Sequence, residues 1–311
     1  MTIRQARQNG IRSLLKHSDS AAIDAEILLA HALSATREEM LAHDDRPLPA
    51  RTLTRYRALI ARRAKHEPIA YITGHKEFFG LDFFVDKNVL IPRPETEQIV
   101  ELALAKLQTT NYKLLIDIGT GSGAIAVSIA KNNPRMTVIA TDISAAALKL
   151  AKRNAIANDV ADRIVFRRGD LLKPFLSFRG RENLSTPILI TANLPYLPAS
   201  VYEKTTLDIR RYEPRSALIA GKDGLDLYER LFHQVAHIVI PRRSRGISAR
   251  LRNVEIPHSV RDDIQALTIF CEIDPSQKKK FPALVKRHLP RAKVEIKNDL
   301  AGRARVGVIT S

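Results

Sequence analysis

Up to about residue 67, apolar positions return every three or four residues, the spacing of helices buried along one side. Ile23, Ile27 and Ala30 form one such stripe, widened by Leu29 and Leu33. Thr36-Arg37-Glu38-Glu39 has the form of a capping box and predicts a short helix carrying Met40 and Leu41, interrupted by Pro47 and Pro49. A third helix follows, with Leu53, Tyr56 and Ile60 on one face. From Pro68 to Pro94 the pattern changes to β-like pieces at 70–73, 77–79 and 81–85, punctuated by Gly74 and Gly80, so the expected element is a hairpin linker. Pro92-Arg93-Pro94 then stiffens the approach to a helix starting near Glu95.

Beyond that helix, strand-like and helical segments alternate. Strands are expected at 112–118, 136–141, 163–167 and 187–192, with helices at 123–132 and 144–157 between them, and late strands at 235–240, 267–273 and 304–310. Alternation of this kind predicts an α/β fold, a parallel sheet covered on both faces. The expected organisation is a helical segment at 1–67, a hairpin linker at 68–94 and an α/β domain at 95–311.

Composition narrows the class. A chain of 311 residues that is 45% hydrophobic can fill two ordinary cores. The net charge of +17 favours attraction to polyanions or to an acidic partner, and general basicity of the source proteome explains it equally well. Arg55, Arg57, Arg62, Arg63 and Lys65 crowd the third helix; a solvated face is the commoner origin of such a run, a partner-docking face the alternative. A basic insertion at 241–263 carries Arg242, Arg243, Arg245, Arg250 and Arg252, and reads as a surface loop in preference to an RNA contact. The single cysteine, Cys271, excludes an internal disulfide framework and a cysteine-based zinc cluster. No apolar run approaches the ~18 residues of a membrane-spanning helix, and Arg4, Arg7 and Arg12 break up any signal-peptide core. The expectation is a cytoplasmic monomer with no membrane contact.

Two segments carry the candidate chemistry. The apolar run Leu114-Leu115-Ile116-Asp117 feeds Ile118-Gly119-Thr120-Gly121-Ser122-Gly123, whose glycines let the chain turn sharply and bring bare backbone to a ligand. Gly119, Gly121 and Ala124, with Asp142 placed 23 residues after Gly119, also satisfy the looser dinucleotide fingerprint. The loop alone therefore leaves a nicotinamide enzyme and a methyltransferase open. Asp142 would hold ribose hydroxyls in either case, or merely cap the helix from Ser144. Asp170 can accept from an adenine amino group while Leu171 walls the ring; an ordinary Gly-Asp turn is the competing reading.

The second segment, Asn193-Leu194-Pro195-Tyr196, follows the run 187–192. An amide or aromatic NH2 is a poor nucleophile because its lone pair is delocalised. Two acceptors on its two hydrogens localise that pair: the Asn193 side-chain oxygen and the Leu194 carbonyl can supply them. Pro195 biases Leu194 toward an extended conformation, and the Tyr196 ring can pack on the flat group. A methyl sulfonium then needs only in-line placement, with no metal ion and no strong general base. If 112–118 and 187–192 are first and fourth strands of a doubly wound sheet, both loops open on one carboxyl edge. The pair points to methyl transfer from S-adenosyl-L-methionine to a planar nitrogen.

Taken together these motifs resemble the PrmC/HemK family, the glutamine methyltransferases of peptide-chain release factors. The resemblance covers most of the chain and is weakest within 241–266. It rests on Val89-Leu90-Ile91-Pro92-Arg93-Pro94-Glu95-Thr96-Glu97, Glu213-Pro214-Arg215-Ser216-Ala217-Leu218, Gly221-Lys222-Asp223-Gly224-Leu225, Asp299-Leu300-Ala301-Gly302-Arg303 and Asp24-Ala25-Glu26-Ile27-Leu28-Leu29, besides the glycine loop. It implies a small helical domain that docks the release factor, a β-hairpin linker and a Rossmann-like, seven-stranded S-adenosylmethionine-dependent domain. It also implies a target glutamine in the factor's Gly-Gly-Gln loop. Cofactor contacts would come from Gly119, Thr120, Gly121, Ser122, Gly123, Asp142, Leu171 and Asn193, with Asp170 beside them. The catalytic and substrate clamp would be Asn193, Leu194, Pro195 and Tyr196, with Arg93 and Glu95 ordering the pocket wall. The family usually has Asn-Pro-Pro-Tyr, whereas position 194 here is leucine; its carbonyl survives, so activity is expected to be retained. Two rivals stand beside this reading. An adenine-N6 methyltransferase of DNA or RNA would use the same clamp but must extract its base. A non-enzymatic RNA-binding protein would be expected to have lost the clamp or the glycine loop, and both are intact.

Overall fold

The computed structural model describes residues 1–178, 187–239 and 267–311, and the basic insertion at 241–263 lies outside them. The chain opens with four helices, α1 (Ile3–Leu14), α2 (Ala21–Leu33), α3 (Arg37–Ala42) and α4 (Ala50–Arg63). The Thr36 hydroxyl accepts from the Glu39 N–H while the Glu39 carboxylate accepts from the Thr36 N–H, so α3 begins with the capping box its sequence predicts. Helix α2 buries Leu29 and Ala30 of the expected stripe but is rotated away from Ile23, which is 51% exposed. The buried face runs through Ala21, Asp24, Ala25, Leu28, Leu29, Ala30 and Ala32. The rotation is set by a polar anchor: buried Asp24 accepts from Arg63 Nε at 2.6 Å, from Ser18 at 2.6 Å and from Ser20 at 3.0 Å. Of the cations crowding α4, Arg63 therefore serves the interior and Arg62 pairs with Glu67, while Arg57 and Lys65 face solvent.

Residues 70–73 form helix α5 (Ile69–Thr73), not a β-like piece. Pro68 starts it and Gly74, at φ 80°, stops it, with Ala70 and Ile72 buried; packing overrides the β-leaning composition. The hairpin follows as β1 (His75–Phe78) and β2 (Leu81–Phe84), joined through Phe79 and Gly80, both left-handed as a two-residue turn of matching twist requires. Asn154 ties this hairpin to the glycine loop. Its side-chain oxygen accepts from Phe84 N–H, and its amino group donates to the carbonyls of Phe84 and Ser122.

A 3₁₀ turn at Pro94–Thr96 leads into α6 (Glu97–Thr109). Then come β3 (Leu114–Ile118), α7 (Ala124–Asn132), β4 (Thr137–Asp142), α8 (Ala145–Ala157), β5 (Ile164–Arg168), α9 (Lys173–Phe178) and β6 (Ile188–Ala192). The short helices α10 (Ala199–Tyr202) and α11 (Leu207–Tyr212) precede α12 (Asp226–Val239), and the chain ends with β7 (Leu267–Glu272), α13 (Lys280–His288), β8 (Lys293–Asn298) and β9 (Ala304–Thr310). The sheet is seven-stranded, ordered β5-β4-β3-β6-β7-β9-β8, parallel from β5 to β7 and antiparallel where β9 meets β7 and β8. Every residue of β3, β6 and β7 is buried, as strands covered on both faces must be.

Two late assignments differ from expectation. The apolar residues 235–239 continue α12, because Tyr228, Leu231, Phe232 and Val235 fall at helical spacing and all enter the core. Strand β8, Lys-Val-Glu-Ile-Lys-Asn, escapes a hydrophobic reading because it is an edge strand whose charged residues alternate with only two apolar ones. β3 and β6 are direct neighbours in register, Ile118 opposite Ala192, so the glycine loop and Asn193 leave the sheet side by side at the point where strand order reverses.

Candidate active site

The glycine loop is fixed from beneath by Asp117, the fourth residue of β3. Its fully buried carboxylate accepts from the Thr120 hydroxyl at 2.6 Å and the Thr191 hydroxyl at 2.8 Å, joining the loop to β6. Gly119 holds φ 69°, and a Cβ there would meet Leu194 Cδ2 at 2.9 Å, so loop and clamp touch only because this side chain is missing. Gly123 backs onto Ala151 of α8.

Burial pushes the Asp117 pKa up to about 6, against the two hydroxyl bonds. Its unfolded value is near 3.8, so its contribution to stability is complete below that value and is lost as pH rises through about 6. Asp117→Asn should therefore gain on the parent between pH 4.5 and 7.5, by on the order of 2 kcal/mol, in paired denaturant titrations. A stability difference independent of pH would contradict the buried-carboxylate account.

Asp142 ends β4 and grips the loop from the side. One carboxylate oxygen accepts from Gly121 N–H at 2.9 Å, the other from Ser144 N–H at 2.8 Å. The helix cap itself is Ser144, whose hydroxyl accepts from Ala147 N–H, so Asp142 does more than start α8. Burial raises its pKa, countered by the N–H groups of Ser144 and Gly121. Leu171 sits at φ 53° with its side chain buried in the cavity wall and its carbonyl taken by Thr141. Asp170 beside it is bound by Arg230 at 2.6 Å and Lys173 at 2.9 Å. Burial alone would raise the Asp170 pKa, but these two cations outweigh it and hold the carboxyl below its usual range.

These groups converge on a cavity of about 240 Å³. Gly119, Thr120, Gly121, Ser122, Asp142, Asp170, Leu171, Asn193, Leu194 and Pro195 all line it; Gly123 and Tyr196 stand behind. Asn193 is half-buried, and its amino group donates to Thr96 Oγ1 at 3.0 Å. Among the described residues neither the Asn193 side-chain oxygen nor the Leu194 carbonyl meets an internal donor. The Leu194 side chain is buried in the core against Gly119, and the residue as a whole lines the cavity.

The Tyr196 hydroxyl donates to Glu272 Oε1 at 2.9 Å, and burial holds its pKa well above the ordinary phenol value, keeping it a neutral donor. Its carbonyl accepts from Gln277, which also bonds the Asp223 carbonyl. Behind the lining residues Arg93 and Pro214, the buried Glu213 carboxylate binds the Arg93 guanidinium and the Ile91 N–H. This joins the 89–97 stretch to the 213–218 stretch. Arg93 lines the cavity; Glu95 does not.

Sequence reasoning missed Asp117, Thr96, Glu272 and Asn154 as parts of this site. Asp117 carried a visible signal, a lone carboxylate inside an apolar strand run. Glu272 carried the same signal at the end of 267–273, but nothing local to it indicated Thr96, 176 residues away.

A family model for the PrmC N-terminal domain matches residues 5–74, and one for the methyltransferase small domain matches 95–178. The release factor glutamine methyltransferase of Rhodopirellula baltica is 40% identical over 222 residues, covering 70% of this chain and 73% of that protein. That of Moorella thermoacetica is 42% identical over 242 residues, covering 78% and 83%; that of Xylella fastidiosa is 44% identical over 204 residues, covering 66% and 71%. Among solved structures, the hMettl16 catalytic domain in complex with a MAT2A 3'UTR hairpin aligns over 81% of each chain with a TM-score of 0.51 at 16% identity, a likeness of fold alone.

Proposed function

The chain belongs to the release factor glutamine methyltransferase family, and from that premise we propose that its cavity carries methyl transfer to the side-chain amide of a release-factor glutamine, in the Gly-Gly-Gln loop. It is a methyltransferase, and its methyl donor is S-adenosyl-L-methionine, with S-adenosyl-L-homocysteine as product. The residues present suit that donor: an acidic group at Asp142 for ribose hydroxyls, bare backbone at Gly119 to Gly121, and the apolar wall of Leu171. When bound, the donor supplies an electrophilic methyl group on a sulfonium.

Everything else is the work of this chain's own atoms. Asn193 Oδ1 and the Leu194 carbonyl accept the two hydrogens of the target amide and turn its nitrogen lone pair toward the glycine-loop side of the cavity; the one N–H proton that the methylated nitrogen sheds leaves along one of these two bonds to solvent. Pro195 holds the Leu194 carbonyl in an extended backbone, and the Tyr196 hydroxyl bond to Glu272 fixes the far end of the clamp. Orientation and exclusion of water then account for most of the barrier lowering. The observation that carries this reading is the pair of acceptors at the tip of β6, beside Gly119, that meet no internal donor among the described residues. The helical segment, matched by the family's N-terminal domain, serves in this reading to dock the release factor. In this reading the protein works as a monomer, and a partner in translation implies the cytoplasm.

The test supplies labelled S-adenosylmethionine together with a purified release factor, a DNA pool and an RNA pool, and maps the label by mass spectrometry. Label is expected on the Gly-Gly-Gln glutamine. Label on adenine in either pool, with none on the factor, would replace this reading by the nucleic-acid one.

A further inference from the structure

We propose that Glu272 is a positioning residue that, acting through Thr96, forces the Asn193 side chain to present oxygen to the target. The proposal rests on Asn193 being the acceptor of the target's N–H, as argued above. Glu272 ends β7, the strand beside β6, and is 1% exposed. Among the described residues its carboxylate has two hydrogen-bond partners, and both belong to the site. Thr96 donates to Oε2 at 2.6 Å and Tyr196 donates to Oε1 at 2.9 Å. Arg305, itself nearly buried, adds a compensating positive charge nearby, and the Tyr228 hydroxyl holds the Glu272 main-chain carbonyl.

The polarity of the chain follows from counting protons. Burial raises the Glu272 pKa, opposed by the hydroxyls of Thr96 and Tyr196 and by the charge of Arg305; the ionised carboxylate only accepts, and in that form it commits the single hydroxyl proton of Thr96 to itself. What remains on Thr96 Oγ1 facing Asn193 is a lone pair, and it can be matched only by the Asn193 amino group, 3.0 Å away. The oxygen of the same amide must then face the cavity. A flipped Asn193 would set two acceptors against each other at Thr96 and turn a donor toward the NH2 of the target, two repulsive contacts at once. An isolated asparagine has no such preference, and sequence gives no reason for one.

Glu272→Gln keeps the shape but offers one acceptor and one donor where two hydroxyls need acceptors. Whenever its amino group faces Thr96 the relay reverses and Asn193 is free to flip. The expected result is a kcat lowered roughly 10- to 100-fold, with the Kd for S-adenosylmethionine within about twofold of the parent. Thr96→Val should lose about as much, and Thr96→Ser, which keeps the hydroxyl, should return to within about threefold of the parent. In an Asn193→Ala background Thr96→Val should change nothing further, because the group it positions is gone. Parental kcat in Glu272→Gln, or a full additional loss from Thr96→Val on top of Asn193→Ala, would overturn the proposal. If Glu272→Gln failed to fold, the two Thr96 variants and the double variant would still decide. Rates are compared on whichever acceptor the parent methylates. An acceptor other than glutamine would thus defeat the functional reading while the relay is still judged by the same ratios.

Discussion

Asn193→Ala is expected to lower kcat for methyl transfer by roughly a hundred- to thousandfold while leaving the fold in place and changing cofactor affinity far less than kcat. The size follows from removing one of two groups aimed at the reacting atom, which in comparable preorganised sites costs that much. The selectivity follows from the contacts of the side chain. Among the described residues the Asn193 side chain makes one hydrogen bond, to Thr96, and it is only half-buried, so truncation costs about 1 kcal/mol of stability. Asp142 and the glycine loop are held by their own partners, Thr141 and Asp117 among them, and do not lean on the amide. Single-turnover rates with saturating cofactor, together with a melting curve, check the expectation. Parental turnover in Asn193→Ala would remove the clamp from the account.

The second large effect is expected at Asp142, in binding and not in chemistry. Asp142→Ala should raise the Kd for S-adenosylmethionine by roughly a hundredfold, read by calorimetry. The carboxylate acts twice: it offers acceptors to ribose hydroxyls, and it holds the Gly121 and Ser144 N–H groups in the conformation that shapes the loop. Asp142→Asn keeps one acceptor and should fall between parent and alanine. Equal affinity in parent and Asp142→Ala would reject the ribose role and reduce Asp142 to a turn residue.

What the sequence made legible here is what is local in the chain. The strand, glycine turn and helix of 114–132, the acid at the end of β4, and the Asn-Leu-Pro-Tyr segment after β6 each announce themselves within one short continuous stretch. Their neighbourhood in space follows from parallel-sheet topology. Elements whose identity depends on packing were harder. Residues 70–73 look β-like until Pro68 and the core of the helical segment are added, and 235–239 look like a strand until Tyr228 and Phe232 set the helical phase. Residues 293–298 look like neither, because an edge strand exposes most of its length.

Least legible was the support of the site. The bonds Thr96–Glu272, Asn193–Thr96 and Tyr196–Glu272 span 176, 97 and 76 residues. No spacing rule reaches so far. The functional atoms could be read directly, whereas the atoms that aim them emerged only once β6, β7 and the turn before α6 were placed together.

The most direct measurement is a structure of the protein with S-adenosylhomocysteine and a Gly-Gly-Gln peptide bound. The glutamine amide nitrogen is expected about 3 Å from both Asn193 Oδ1 and the Leu194 carbonyl, with the sulfur on the open side of that nitrogen. A glutamine amide held by other groups, or lying on the far side of the cavity from β6, would contradict it.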